Sequence, residues 1–221
     1  MLRMELAVSV LKRLNKKMMS LAAVVVMGFF VQACAPKVSP QDSCNFVMSN
    51  DSQRVSWGTS APVILLVDSS VPPEYYASIQ SAVKTWNDSL GREVLKIGGW
   101  STAYPTEKQD GVNVIYYIRE WPDSSKEKQA ITTIHWAADH IFEADIRING
   151  NTSYFQYFTT STVDPLKVDF ESLILHELGH VLGLEHPKVE TGGTVMARRL
   201  DDGVLRRTPA PLDVSDLKCE Y

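Results

Sequence analysis

"DFESLILHELGHVLGLEH", residues 169 to 186, is the stretch on which the fold turns. Taking roughly 100° per residue from Phe170, the residues Phe170, Ile174, Leu175, Leu178, Val181 and Leu182 fall in an arc of about 140°, which is one face of an amphipathic helix. His176 and His180 fall near 240° and 280°, about opposite the centre of that arc, so they are not core residues. Asp169 suits the N-cap and Gly183 the C-terminal stop, giving about three and a half turns. Four residues apart, the two histidines stack on one face about 6 Å apart along the axis, where both can reach one ion at roughly 2.0 to 2.1 Å. A left-handed Gly183 can turn the chain sharply and return His186 to the same point.

Three neutral nitrogen ligands with an open fourth position form the arrangement of a catalytic zinc site; a structural site closes that position with a fourth side chain. Glu177, directly after His176, borders the open position without being a ligand and can accept a proton from water there. Two surface histidines would explain His176 and His180 alone. They do not explain His, Glu, His, Gly and His at five set positions.

"HELGHVLGLEH" (176–186) carries the metzincin signature HExxHxxGxxH, and "GGTVMARR" (192–199) resembles the Met-turn of that clan, with Met196 as its methionine. Within the clan the chain resembles matrixins, in a bacterial lipoprotein form, over about Val55 to Tyr221. It departs from their usual pattern at Pro187, where matrixins have Ser. Arg198 stands where astacins and serralysins carry a Tyr, so no tyrosine ligand is expected. The resemblance implies an α/β (α+β) catalytic domain with a twisted, mostly parallel sheet, one antiparallel edge strand, an active-site helix, the Met-turn and a C-terminal helix. It also implies one catalytic Zn2+ on His176, His180 and His186, with Glu177 as general base. Met196 then packs beneath the metal and does no chemistry. The expected activity is that of a metalloendopeptidase acting on an extended peptide or protein laid along the edge strand "AITTIHW" (130–136). Its specificity pocket is expected between the helix and the loop 197–211, whose Arg198, Arg199, Asp201, Asp202, Arg206 and Arg207 read mostly as solvated charge. The segment 120–145 is too short for the structural zinc and calcium loops of animal matrixins, and structural calcium has no support in the sequence.

The rest of the chain fits one such domain. "PVILLVD" (62–68) suits a buried strand, and "PPEYYASIQSAVKTWNDSLG" (72–91) an amphipathic helix with proline at its start and Gly91 at its end. "VLKIGG" (94–99), "GVNVIYYIRE" (111–120), "AITTIHW" and "FEADIRIN" (142–149) are further strands, the last alternating Ala144, Ile146 and Ile148 against Asp145, Arg147 and Asn149. Strand, helix, several strands and a helix give helices packed on a sheet. Residues 150–165 and 187–211 read as loops and "PLDVSDLKCEY" (211–221) as the closing helix. His135 and His140 belong to no ligand spacing.

The chain has 221 residues, 44% of them hydrophobic, and a formal net charge of −4. Residues 1–33 carry Arg3, Lys12, Arg13, Lys16 and Lys17 against Glu5, a local +4 that leaves −8 for the remainder and disfavours nucleic acid as a partner. This basic lead, the apolar run "LAAVVVMGFFV" (21–31) and "QACAP" read as an export signal over residues 1–33; eleven apolar residues are too few to span a bilayer, which takes roughly 20. "VQAC" (31–34) resembles the lipobox of bacterial lipoproteins, which implies cleavage before Cys34, lipidation of that cysteine and a membrane anchor in the cell envelope. Cleavage nearby with secretion, or an uncleaved anchor, are the other readings. Residues 34–54 read as a tether and 55–221 as the domain of a protein expected to be monomeric. Cys44 and Cys219 then remain in a compartment where disulfides persist, and a staple between them is expected. The rival is Cys44 as an inhibitory thiolate on the metal, although "QDSCNF" lacks the flanking residues of the matrix metalloproteinase cysteine switch. As a function class, the alternative to an endopeptidase is a non-catalytic zinc-binding envelope lipoprotein on the same scaffold. No Gly-x-Ser-x-Gly elbow supports a serine hydrolase.

Overall fold

A computed structural model describes residues 44–101, 107–189 and 193–221. The expected signal (1–33) and Cys34 lie outside the described residues. A five-stranded sheet is built from β1 (Val63–Asp68), β2 (Leu95–Ser101), β3 (Asn113–Ile118), β4 (Ala130–Ala137) and β5 (His140–Asn149) in the order β2-β1-β3-β5-β4. All neighbours are parallel except β4, which runs antiparallel to β5 at one edge. This is the mostly parallel sheet with one reversed edge strand that the sequence led us to expect.

Helix α1 (Tyr76–Leu90) connects β1 to β2, and α2 (Phe170–Val181) follows a short parallel pair, β6 (Tyr157–Phe158) and β7 (Val168–Asp169); α3 (Pro211–Leu217) closes the chain. The β6 strand falls within 150–165, where the sequence suggested only loop. Its two residues are too few to show periodicity, but both rings are buried. The two long helices pack on each other: Trp86 of α1 is fully buried and its indole N–H donates to the Leu175 carbonyl of α2 at 2.9 Å. The core lies between this helical layer and the inward face of the sheet, where Ala144, Ile146 and Ile148 meet Ile174, Leu175 and Leu178 in one buried cluster. Each Ile or Leu side chain so removed from water contributes roughly 1.5 to 3 kcal/mol.

Two features depart from the sequence reading. The alternation along β5 does not divide core from solvent, because Glu143, Asp145 and Asn149 are buried as well. The segment entering β3 covers the first two, with the Gly111 N–H donating to Glu143 and the Val114 N–H to Asp145 at 2.8 Å. Residues 44–54, expected within the tether, are part of the folded body. Phe46 bridges Leu184, the Val47 N–H donates to the Gly183 carbonyl at 2.9 Å, and Arg54 pairs with Glu220 at 2.6 Å. Their polar composition hid one deeply buried ring and one long-range ion pair. Cys44 is bonded to Cys219.

Candidate metal centre

Helix α2 begins where the Asp169 carboxylate accepts the Ser172 N–H at 3.1 Å, an N-cap interaction. The same buried carboxylate receives the Arg207 guanidinium through Nε at 2.8 Å and Nη2 at 2.5 Å, a two-pronged pair that fixes the helix start against the loop 197–207. At the other end Gly183 adopts φ +96°, and the Leu184 N–H turns back to the Gly179 carbonyl at 3.0 Å. A Cβ at Gly183 would stand 2.4 Å from the Val55 carbonyl oxygen, so glycine is required both by conformation and by space. This turn delivers His186.

The three Nε2 atoms of His176, His180 and His186 lie 3.1, 3.2 and 3.2 Å from one another. His176 Nδ1 faces the Val195 carbonyl at 2.8 Å and His180 Nδ1 the Leu184 carbonyl at 2.7 Å. A carbonyl can only accept, so each Nδ1 carries the proton and each of these Nε2 atoms turns a lone pair inward. Lone pairs repel at that distance unless a cation lies between them. Four-coordinate zinc with nitrogens at about 2.05 Å places them about 3.3 Å apart, close to the separations here. The donor set therefore fits zinc. Burial, reinforced by the mutual repulsion that protons on the clustered rings would suffer, holds His176 well below the usual histidine range and His186 down at about 4, so both rings are neutral, as ligands must be. Among the described residues no fourth His, Cys, Asp or Glu joins the three.

The side left open faces a groove of about 720 Å³ that runs between β4 and the loop after Met196. Glu177 lies in this groove, buried, and accepts the Thr132 hydroxyl of β4 on Oε2 at 2.6 Å. Burial pushes its carboxyl up, and the hydrogen bond from the Thr132 hydroxyl opposes this. Met196 packs beneath the helix, and a Cβ on Gly179 would come 2.3 Å from its sulfur. The turn that holds Met196 is anchored by buried Asp213 of α3, which accepts the Thr194 hydroxyl, the Val195 N–H at 2.9 Å and the Ala210 N–H at 2.7 Å. Through Val195, Asp213 therefore also positions His176.

The structure brings together His176, Glu177, His180, His186 and Met196. His135 stands apart beside Glu143 at 3.8 Å, and His140 beside Ser60 at 3.4 Å. Cys44, being bonded to Cys219, offers no thiolate to the histidines. Thr132, Asp213 and Arg207 were not singled out by sequence as parts of the site. Arg207 read as mostly solvated charge and is instead paired with Asp169 and Glu171, while Asp213 left a trace as an acid in the first turn of a helix opened by proline.

A helix that presents His-Glu-x-x-His, a glycine turn that returns a third histidine, and a methionine turn below define a metzincin-type zinc metalloprotease. The family model of the matrixins matches residues 72–218, and the chain belongs to that family. Among solved structures it is similar to high choriolytic enzyme 1, a hatching enzyme zinc-protease from Oryzias latipes (medaka fish), at 13% identity over 84% of this chain and 98% of that one, with a TM-score of 0.36. No curated protein matches the sequence.

Proposed function

We propose that the chain is a zinc-dependent endopeptidase in which Glu177 is the general base. The supporting observation is the convergence of three inward lone pairs at 3.1 to 3.2 Å beside a buried carboxylate that faces the groove. Zinc, when bound, acidifies water and polarises a carbonyl. His176, His180 and His186 would hold it, two of them with rings locked by the Val195 and Leu184 carbonyls. Thr132 occupies Oε2 of Glu177 and leaves Oε1 to take the proton from the attacking water and pass it to the departing amine. The free edge of β4 offers unpaired N–H and C=O groups to an extended peptide, which would place the scissile bond next to Glu177. We also propose that residues 1–33 are an export signal and that Cys34 anchors the protein through lipid in the cell envelope, a reading supported by "VQAC" and the basic, apolar lead.

Metal analysis of the purified protein and peptide-library cleavage, run beside Glu177→Gln, test the catalytic reading. One zinc per chain in both proteins, with cleavage reduced at least about a thousandfold in the variant, is expected from loss of the base and of the charge it carries. Cleavage that survives Glu177→Gln overturns the role of Glu177. Zinc without any cleavage in the wild type favours the non-catalytic reading.

A further inference from the structure

The groove beside the metal centre carries a positive charge that the fold has left uncompensated. Arg206 and Arg207 are neighbours in sequence, but their surroundings are opposite. Arg207 is enclosed by two acids, Asp169 through both of its oxygens and Glu171 at 3.3 Å. Arg206 lines the groove and has no carboxylate partner among the described residues.

Arg206 is also held in place. Its N–H donates to Ser172 Oγ at 2.7 Å, one helical turn before His176, and its Nη1 donates to the Arg199 carbonyl at 2.5 Å. Such a backbone anchor spends one of five guanidinium donors and orients the planar fork, leaving other donors for a ligand. Arg198, Arg199 and Lys128 line the same groove, against Glu127 and the base Glu177, and Arg199 pairs with Asp201 at 3.4 Å. The Arg206 charge reaches His176 and the Arg198 charge reaches His186.

We infer that Arg206 is a specificity-determining residue, and that the groove selects peptides carrying an Asp or Glu side chain beside the scissile bond. This rests on the reading of the groove as the substrate cleft. The carboxylate meets a half-buried, pre-oriented guanidinium, which pairs with it through two parallel N–H···O bonds. An uncharged isostere such as Gln makes one such bond at most and leaves the guanidinium charge unanswered. A Lys or Arg side chain is repelled by the same group.

The test uses two substrate peptides that differ only by Glu or Gln in turn at each position flanking the scissile bond, and the corresponding pair of peptide hydroxamates, with the zinc-loaded full-length protein. At one position, kcat/KM for the Glu peptide exceeds that for the Gln peptide by roughly tenfold to a hundredfold, and the Glu hydroxamate binds more tightly by a similar factor. In Arg206→Gln both ratios collapse towards one; Arg206→Lys keeps a part of them; Arg206→Glu turns the preference towards a Lys peptide. A ratio near one at every position in the wild type, or a preference that survives Arg206→Gln, overturns the inference. If no peptide is cleaved but the hydroxamates still show the Arg206-dependent preference, the endopeptidase reading fails and the assignment of Arg206 stands.

Discussion

Asp145 lies on the outward face of β5 yet is 1% exposed, with Oδ1 bonded to the Val114 N–H and Oδ2 without a partner among the described residues. Burial pushes its carboxyl up to about 7, the Val114 N–H opposes this, and the charges of Glu143, Glu107 and Asp110 add to it. Tyr116, buried on the same side, is pushed up by burial and then by the Asp145 charge. An unfolded Asp loses its proton near pH 3.9, so across about pH 4 to 7 the folded chain keeps a proton that the unfolded chain has released. The contribution of Asp145 to stability therefore falls as pH rises through this window, by at most roughly 1.4 kcal/mol per pH unit, and levels off above it. Asp145→Asn keeps an acceptor for Val114 and removes the charge, so it is expected to flatten that slope and to be the more stable protein at pH 8. Urea unfolding of both proteins at matched zinc concentration, from pH 4.5 to 8, measures this, since the metal's own pH dependence cancels in the difference. Parallel curves would place the titration elsewhere. The sequence showed Asp145 only as the polar half of an alternating strand, because the segment that buries it is some thirty residues upstream. Thr132 was silent for the same reason, reaching Glu177 across 45 residues. His176, Glu177, His180 and His186 were legible because helical geometry and one glycine turn place them locally.

Helix α2 was readable almost to its ends from period and caps, since its apolar arc, Asp169 and Gly183 all act within a few residues of where they stand. What the period does not show is how closely the helix must approach its neighbours. Gly179 is a poor helix former, and Gly→Ala at an exposed helical site gains about 1 kcal/mol. Here the new Cβ would lie 2.3 Å from Met196 Sδ, 3.1 Å from its Cε and 3.4 Å from Trp86. Met196 is 3% exposed and the turn behind it is tied to Asp213, so the sulfur cannot withdraw without moving Val195, whose carbonyl orients His176. Gly179→Ala is therefore expected to destabilise by about 2 kcal/mol, lowering Tm by roughly 5 °C, and to weaken zinc binding. The double variant Gly179→Ala/Met196→Ala separates crowding from propensity. If overpacking is the cause, the two changes together cost less than their sum. A Tm that rises in the single variant would show that the methionine yields freely.

At the scale of the molecule, both ends of the folded body close on the C-terminal end of α2. Asn45 accepts the Glu185 N–H at 2.8 Å, Trp57 donates through its indole to the Val181 carbonyl at 2.7 Å, and the Tyr221 hydroxyl donates to the Leu182 carbonyl at 2.8 Å. Arg54 and Ser56 both bond to Glu220, at 2.6 and 3.1 Å, so the two ends also hold each other. The Cys44–Cys219 bond spans 175 residues and ties this clamp. A cysteine near each end of a domain read from its sequence as exported made the pairing readable. The clamp was not readable, because residues 44–54 look like a polar linker and their partners lie at the far end of the sequence. A loop of that length restricts the unfolded chain by about 5 kcal/mol at most in the chain-entropy account. The larger consequence is local, since among the described residues the backbone that presents His186 is bonded on its outer side by residues 45–47. Reduction, or Cys44→Ser/Cys219→Ser, is expected to lower Tm and also to speed zinc loss to a chelator well below Tm, because freeing residues 44–47 releases the turn at 183–186 before the core opens. Zinc release and global unfolding followed in parallel decide this. A lower Tm with unchanged release would leave the disulfide a global staple with no particular hold on the metal centre.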